Sequence, residues 1–312
     1  MDIYDIAVVG GGPAGLSAAL YAARARRRTV LLEKAGAGGQ IALTSLVENY
    51  PGAPDIDGYT LSERMREQAE KSGAEIRYTE VRSIRRDDGD FIVESDEGDL
   101  RSRTIIYAAG AQYNRLGVPG EERLIGKGVS YCATCDAAFF RGQDVAVVGG
   151  GDAALDEALF VTRYAAKVYL IHRRDAFRAQ RVLQERVFAE PKIQIIWDTV
   201  VEVIEGEESV ERLRLRNVRT DERTTLPVSA IFIFIGQTPN TTLVRDLVPL
   251  DAGGHIAVDL MMRTAVPGLF AAGDVRVQSA RQAISAAGDG ATAAIAADHY
   301  LSELAVAVAA AD

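Results

Sequence analysis

A chain of 312 residues that is 48% hydrophobic and 25% charged has the composition of an ordinary globular protein, with room for about two domains. Its net charge of -9 argues against non-specific attraction to nucleic acid or anionic lipid, since both need a basic surface. No run reaches the ~18 apolar residues of a spanning helix, Met1-Asp2-Ile3-Tyr4-Asp5 has no basic leader, and only two cysteines occur; a cytoplasmic protein with a working cysteine pair is expected, not a secreted disulfide scaffold.

Residues 3–9 form a short apolar, β-branched run, followed by Gly10-Gly11-Gly12-Pro13-Ala14-Gly15 and a helical stretch over 16–24. In such a strand, turn and helix, glycines at 10, 12 and 15 supply the tight turn, a side-chain-free approach for a pyrophosphate, and close packing of helix on strand. The helix N-terminus faces the phosphate charge. Glu33 ends a second strand over 29–32, roughly 20 residues beyond the first glycine, where a carboxylate accepts from ribose hydroxyls and repels a 2′-phosphate. This module suits the adenosine of FAD or NAD rather than NADP. The basic run Arg24, Arg26, Arg27, Arg28 falls where the crossover helix ends and complements its dipole.

Residues 91–94 and 100–106 read as a hairpin leading into Tyr107-Ala108-Ala109-Gly110, whose small side chains let a strand end pass close to a nucleotide. After a Pro/Gly-containing connection at 116–119 comes Cys132-Ala133-Thr134-Cys135-Asp136. Three readings compete for the cysteines. Half a zinc site needs two more ligands, and His172, His255 and His299 lack metal-ligand spacing. Two buried structural thiols would be apolar filler. A redox pair would close a disulfide within one turn at a helix start that favours thiolate, with Asp136 as an adjacent proton source. The acid and the nucleotide module in the same chain favour the last.

The glycine pattern recurs after the strand 145–148 as Gly149-Gly150-Gly151-Asp152-Ala153-Ala154, with a helix running to 164. The next strand, 167–171, ends in His172-Arg173-Arg174, and Arg178 follows. Guanidinium groups bind phosphate through charge-assisted paired bonds, so this module suits the 2′-phosphate of NADPH. Gly149, Gly151, Asp152, Ala153, His172, Arg173, Arg174 and Arg178 are its candidate residues. A matching strand end recurs at 231–236. Residues 268–272 form one more buried strand, ending in Gly273-Asp274 before an alanine-rich helical stretch over 280–304. Asp274 taken alone could cap a helix; residues 306–312 carry no signal. The expected fold class is α/β, with two Rossmann-like, three-layer ββα dinucleotide-binding domains: an FAD domain at 1–114 and 244–312, and an NADPH domain at 115–243, inserted into it and carrying the CxxC.

One dinucleotide fold inserted in another, with a CxxC on the inserted one, resembles the low-molecular-weight thioredoxin reductases of bacteria and plants over almost the whole length. The residues that carry the resemblance are the Gly10 to Gly15 loop; Gly38-Gly39-Gln40 with Glu48-Asn49-Tyr50-Pro51-Gly52; Cys132 to Asp136; the Gly149 to Ala154 loop; His172-Arg173-Arg174 with Phe177-Arg178; and Gly273-Asp274 with Arg281-Gln282-Ala283. The resemblance implies that Gly12, Ala14, Glu33, Gln40 and Asn49 hold FAD, and that Asp274, Arg281, Gln282 and Ala283 surround its ribityl chain and ring. Gly10, Pro13, Gly15, Gly39, Ala109, Gly110 and Gly273 complete that expected site. It further implies that Cys135 lies nearer the flavin, that Asp136 is the general acid, and that reducing equivalents pass from NADPH through FAD and the cysteine pair to thioredoxin.

The resemblance also implies a homodimer whose central domain rotates about crossings near 114–117 and 239–242, presenting the dithiol to thioredoxin. Lys127, Phe139 and Phe140 stand where the family contacts that partner, with core packing as the alternative for the two phenylalanines. Three departures matter. Ala153 replaces a hydroxyl residue, Ala137 a glycine and Ala109 a threonine; the first removes a phosphate hydrogen bond of about 1 kcal/mol and would weaken NADPH binding. Two rivals use the same scaffold: a reductase with another donor, which the arginine set disfavours, or with another disulfide substrate, and a non-catalytic flavin-bound redox sensor, which would not need the second glycine loop.

Overall fold

The first strand, Asp2–Val9, divides its last side chains between two cores: Ile6 and Val8 enter one, Ala7 and Val9 the other. A strand covered on both faces has to do this, because successive side chains point to opposite sides of the sheet. The structure, a computed structural model, describes residues 2–44, 47 and 49–311; Glu48 of the resemblance pattern lies outside the described residues. The chain forms two compact units, Met1–Gln112 with Thr238–Asp312, and Tyr113–Gln237.

In the first unit, strands Glu75–Tyr78, Thr29–Glu33, Asp2–Val9 and Leu100–Tyr107 lie side by side in parallel. Leu269–Ala271 pairs in parallel with the end of Leu100–Tyr107. The start of that same strand pairs antiparallel with Asp90–Ser95, which pairs in turn with Val81–Asp87. Tyr107 stands opposite both Val9 and Ala271, so three strands end level. The loops that follow them therefore leave at one carboxyl edge, where open α/β sheets bind ligands.

Helices Pro13–Arg24 and Ala283–Ala311 pack together over one face around Ile6, Val8, Leu16, Leu31, Ile106 and Leu301. Small residues permit the close approach: a Cβ on Gly290 would lie 1.9 Å from the Ala14 carbonyl oxygen. The long helix starts at Ala283 rather than at 280, because Arg281 sits in the left-handed region (φ 56°) and cannot continue a helix.

In the second unit five parallel strands run in the order Ile193–Ile196, Lys167–Ile171, Asp144–Gly149, Ala230–Phe234, Val129–Ser130. Val145 and Val147 face helices Asp152–Val161 and Arg181–Ala189, whereas Ala146 and Val148 face the antiparallel strands Thr199–Glu205, Arg212–Asn217 and Arg223–Pro227. Each unit thus stacks helices, a parallel sheet and antiparallel strands, the expected Rossmann-like arrangement. Among the described residues no helix is long and apolar enough to cross a membrane.

Candidate active site

At the carboxyl edge of the first unit the glycine loop is shaped from both sides. A Cβ on Gly10 (φ 107°) would lie 2.4 Å from the Ala108 carbonyl oxygen, and one on Gly15 would lie 1.8 Å from the Gly10 oxygen. Gly12 differs: a Cβ there would meet only the Gly38 oxygen, at 3.9 Å. The space beside Gly12, at the N-terminus of Pro13–Arg24, therefore stays clear for something other than protein. Glu33 reaches back to this loop, accepting from the Gly11 amide at 2.6 Å and the Ala35 amide at 2.9 Å.

Other expected residues converge on the same edge. The Gly38 amide donates to the Gly11 carbonyl (2.7 Å), and Gly39 and Gln40 open a short 3-10 turn, with Gly39 directly beside Gly12. Asn49 Nδ2 donates to Gln282 Oε1 at 3.2 Å across 233 residues of sequence. Gly273 packs against Ala14, and Asp274 accepts from the Ser279 hydroxyl at 2.8 Å, while that hydroxyl accepts from the Arg281 amide at 3.2 Å. Burial raises the Asp274 carboxyl above the usual range, against the pull of the Ser279 bond and of Arg281. Ala283 begins the long helix at this edge. The cradle fits a dinucleotide such as FAD.

Sequence reading passed over two supports. Asn240 donates its side-chain amide to the Ala109 carbonyl (2.8 Å) and its backbone amide to Gly110 (3.0 Å), and its own carbonyl accepts from the Tyr107 hydroxyl (2.6 Å). Asp289, buried in the long helix, pairs with Arg276 and accepts from the Gly273 amide. Each signal was present in the sequence, Asn240 after a proline and Asp289 as a carboxylate between glycines in an alanine-rich helix.

The second unit repeats the loop geometry with different chemistry. A Cβ on Gly149 would lie 2.4 Å from the Phe234 oxygen, and one on Gly151 would meet nothing within 4 Å. Where Gly11 faces Glu33, Gly150 faces His172, whose ring would lie 2.1 Å from an added Cβ. The Arg178 amide donates to the Gly150 carbonyl (2.8 Å), which draws the arginine segment onto the loop. Burial, and then the charges of Arg174 and Arg178, push the His172 pKa down, and His172 Nε2 lies 3.1 Å from the Ala176 oxygen.

Arg173, Arg174 and Arg178 are exposed and form no ion pair among the described residues. Two acids of this segment are occupied: Asp175, and Asp198, whose amide donates to the Arg174 carbonyl, both bind Arg219. The three guanidinium groups remain available for an anion. The Asp152 carboxylate accepts from the Gln180 amide (2.6 Å), tying helix Asp152–Val161 to the start of Arg181–Ala189, and Ala153 is exposed on the first turn. One turn further along, Glu157 has a buried Oε2 without a hydrogen-bond partner among the described residues, and burial pushes its pKa up to about 7.

Cys132 and Cys135 are joined as a disulfide, with Cα atoms 5.3 Å apart. Cys132 immediately precedes helix Ala133–Asp136, and its amide donates to Ser130 Oγ (3.1 Å). Both cysteines are half-buried, as is Asp136, whose amide donates to the Cys132 carbonyl (3.2 Å). Burial raises the Asp136 carboxyl above the usual range, opposed by a hydrogen bond from Ser130. A carboxyl that keeps its proton longer, on the residue directly after a disulfide cysteine, is placed to act as an acid. No cluster of three or more metal-ligating side chains occurs among the described residues. Phe139 is exposed, as is Lys127, while Phe140 packs edge-on against Phe232 at 6.0 Å.

Two nucleotide cradles and a half-buried disulfide beside a raised carboxyl define a class, the disulfide reductases driven by a pyridine nucleotide. The family model described as pyridine nucleotide-disulphide oxidoreductase matches residues 4–290. Thioredoxin reductase of Treponema pallidum is 46% identical over 96% of this chain and 98% of its own length, and that of Peptoclostridium litorale is 45% identical over 97% and 98%. The crystal structure of thioredoxin reductase from Streptococcus pyogenes superimposes with a TM-score of 0.91 at 44% identity, covering 96% of this chain and 99% of that one. The chain belongs to the thioredoxin reductase family. It is an NADPH-dependent flavoprotein oxidoreductase with FAD and NADPH as its cofactors.

Proposed function

We propose that the protein reduces the disulfide of thioredoxin through the Cys132–Cys135 pair, with FAD held by the first unit and NADPH by the second. In this reading residues 1–114 and 244–312 form the FAD domain and 115–243 the NADPH domain. The observation that carries it is the disulfide itself, half-buried at a helix start, with the raised Asp136 carboxyl directly behind it.

Bound NADPH and FAD supply the hydride and the electron pair that open the disulfide. The chain's own residues do the rest. Gly10 and Gly15 let the loop close on itself, Gly12 leaves room for a pyrophosphate at the N-terminus of the helix that Pro13 and Ala14 begin, and Glu33 accepts from ribose hydroxyls. Gly39, Gln40, Asn49, Ala109, Gly110, Gly273, Asp274, Arg281, Gln282 and Ala283 line the rest of that cradle. Gly149, Gly151, Asp152 and Ala153 form the second cradle, with His172 packed under it and Arg173, Arg174 and Arg178 pairing with the 2′-phosphate.

Asp136 passes its proton to a cysteine Sγ as the disulfide opens, so that the pair leaves the step as one thiol and one thiolate. A thiolate then attacks a sulfur of the partner disulfide, and the second cysteine resolves the mixed disulfide, restoring the Cys132–Cys135 bond and releasing a dithiol partner. Phe139 and Lys127, both exposed, provide the docking contacts, with Phe140 holding the segment in the core. The enzyme works as a cytoplasmic homodimer.

The test is NADPH oxidation by the purified holoenzyme in the presence and absence of oxidised thioredoxin. Thioredoxin-dependent turnover is expected; oxidation that ignores thioredoxin would remove the substrate assignment.

A further inference from the structure

Glu121 is only 2% exposed, and its carboxylate is fully engaged. Oε1 accepts from the Leu116 amide at 2.9 Å and from the Tyr131 hydroxyl at 2.7 Å, while Oε2 accepts from the amides of Gly117 (2.7 Å) and Val118 (3.4 Å). The ring of Tyr131 also stacks on Tyr113, with centroids 5.3 Å apart and planes 18° from parallel. Burial, and then the Glu121 carboxylate, holds the Tyr131 phenol well above its ordinary pKa, so it remains a donor. Tyr131 directly precedes Cys132.

A buried charge persists only where its surroundings satisfy it, and here four donors do so. Three of them belong to residues 116–118, near the start of the second unit, and the fourth to the residue beside the disulfide. We propose that Glu121 is a positioning residue for the redox pair: through Tyr131 it fixes the backbone at Cys132 relative to residues 116–118. This deepens the reading of Cys132–Cys135 as the redox centre. A fixed backbone holds the two sulfurs ready to join, so the tether raises their effective concentration and favours the disulfide over the dithiol.

The test uses the full-length holoenzyme and its Tyr131→Phe and Glu121→Gln variants, equilibrated in mixtures of dithiothreitol and its cyclic disulfide. In that exchange the reagent's dithiol closes to its ring disulfide, giving two electrons and two protons to the Cys132–Cys135 bond. Alkylation after acid quench counts the protein thiols. Tyr131→Phe keeps the ring stack and loses only the hydroxyl, so it should retain its thermal midpoint yet shift the equilibrium three- to tenfold toward dithiol, tenfold being about 30 mV for a two-electron couple. Glu121→Gln, which removes the charge that strengthens the same contact, should also shift it, and the double variant no further than the larger single change, because both act on the one Glu121–Tyr131 bond. Should Glu121→Gln fail to fold, Tyr131→Phe decides alone. Titration of Tyr131→Phe within twofold of the parent, or shifts that multiply in the double variant, would overturn the proposal. Loss of thioredoxin turnover with these equilibria intact would count against the substrate assignment instead.

Discussion

Arg276 and Asp289 face each other through two hydrogen bonds, Nε to Oδ2 at 2.6 Å and Nη2 to Oδ1 at 2.9 Å, with side chains only 16% and 10% exposed. Oδ2 also takes the amide of Gly273 at 3.1 Å. The pair therefore fastens the Gly273-Asp274 turn to the long C-terminal helix. Asp289→Ala leaves the Gly273 amide buried without its partner and the Arg276 guanidinium with only its bond to the Val277 carbonyl, a loss expected to destabilise the protein by about 3 kcal/mol. Urea denaturation of the apoprotein checks the stability, and flavin retained on gel filtration checks the turn. A variant as stable and as flavin-rich as the parent would show that the pair supports neither.

Gly12→Ala and Gly15→Ala should separate binding from folding. An added Cβ at position 15 would lie 1.8 Å from the Gly10 oxygen, whereas at position 12 it would meet only the Gly38 oxygen at 3.9 Å. Gly12→Ala is expected to fold with its apoprotein melting temperature nearly unchanged but to lose FAD. Gly15→Ala is expected to fold poorly with or without flavin. Equal behaviour of the two in circular dichroism and flavin content would contradict this account of the loop.

Arg174 and Arg178, free of carboxylate partners among the described residues, should act on NADPH alone. Each change to alanine is expected to raise the KM for NADPH roughly tenfold, since a hydrogen bond to a charged group contributes about 1.5–3 kcal/mol. The kcat, the melting temperature and the KM for NADH should barely move. A matching rise in the KM for NADH would place these arginines away from the 2′-phosphate.

Glu157 gives stability a pH dependence whose sign follows from its shift. Its folded pKa, about 7, lies above the ordinary value of 4.5, so its favourable contribution is complete below the ordinary value and is lost as pH rises toward the folded one. Above that range the buried carboxylate costs on the order of 1–3 kcal/mol. Glu157→Gln should therefore be more stable than the parent at about pH 8 and lose this fall in stability between about pH 5 and pH 7. Unfolding midpoints of the two proteins across that range check it; parallel pH curves would show that Glu157 is solvated.

The glycine loops, Glu33 and the arginines after the second strand were legible because each rests on local chemistry, a turn or charge fixed by a few adjacent residues. The cysteine pair and Asp136 were legible for the same reason. The supports were not, since Asn240 against Ala109, Asp289 against Gly273 and Glu121 against Tyr131 meet only once the chain has folded. The antiparallel strands at 199–227 escaped the sequence reading although Arg212, Arg214 and Arg216 alternate with Leu213 and Leu215. The arginines line the outer face, paired with Glu205, Glu202 and Asp221, while the two leucines enter the core. Phe139 and Phe140 are adjacent in sequence yet differ in fate, because only the second reaches Phe232.

In the proposed relay Cys132–Cys135 stands between the cofactors and thioredoxin, and the absorbance of bound flavin reports whether electrons pass through it. Under anaerobic conditions NADPH should bleach the flavin of both the parent enzyme and Cys135→Ser. Oxidised thioredoxin added next should restore the colour in the parent and leave the variant bleached. Return of the colour in Cys135→Ser at the parent's rate would contradict the relay.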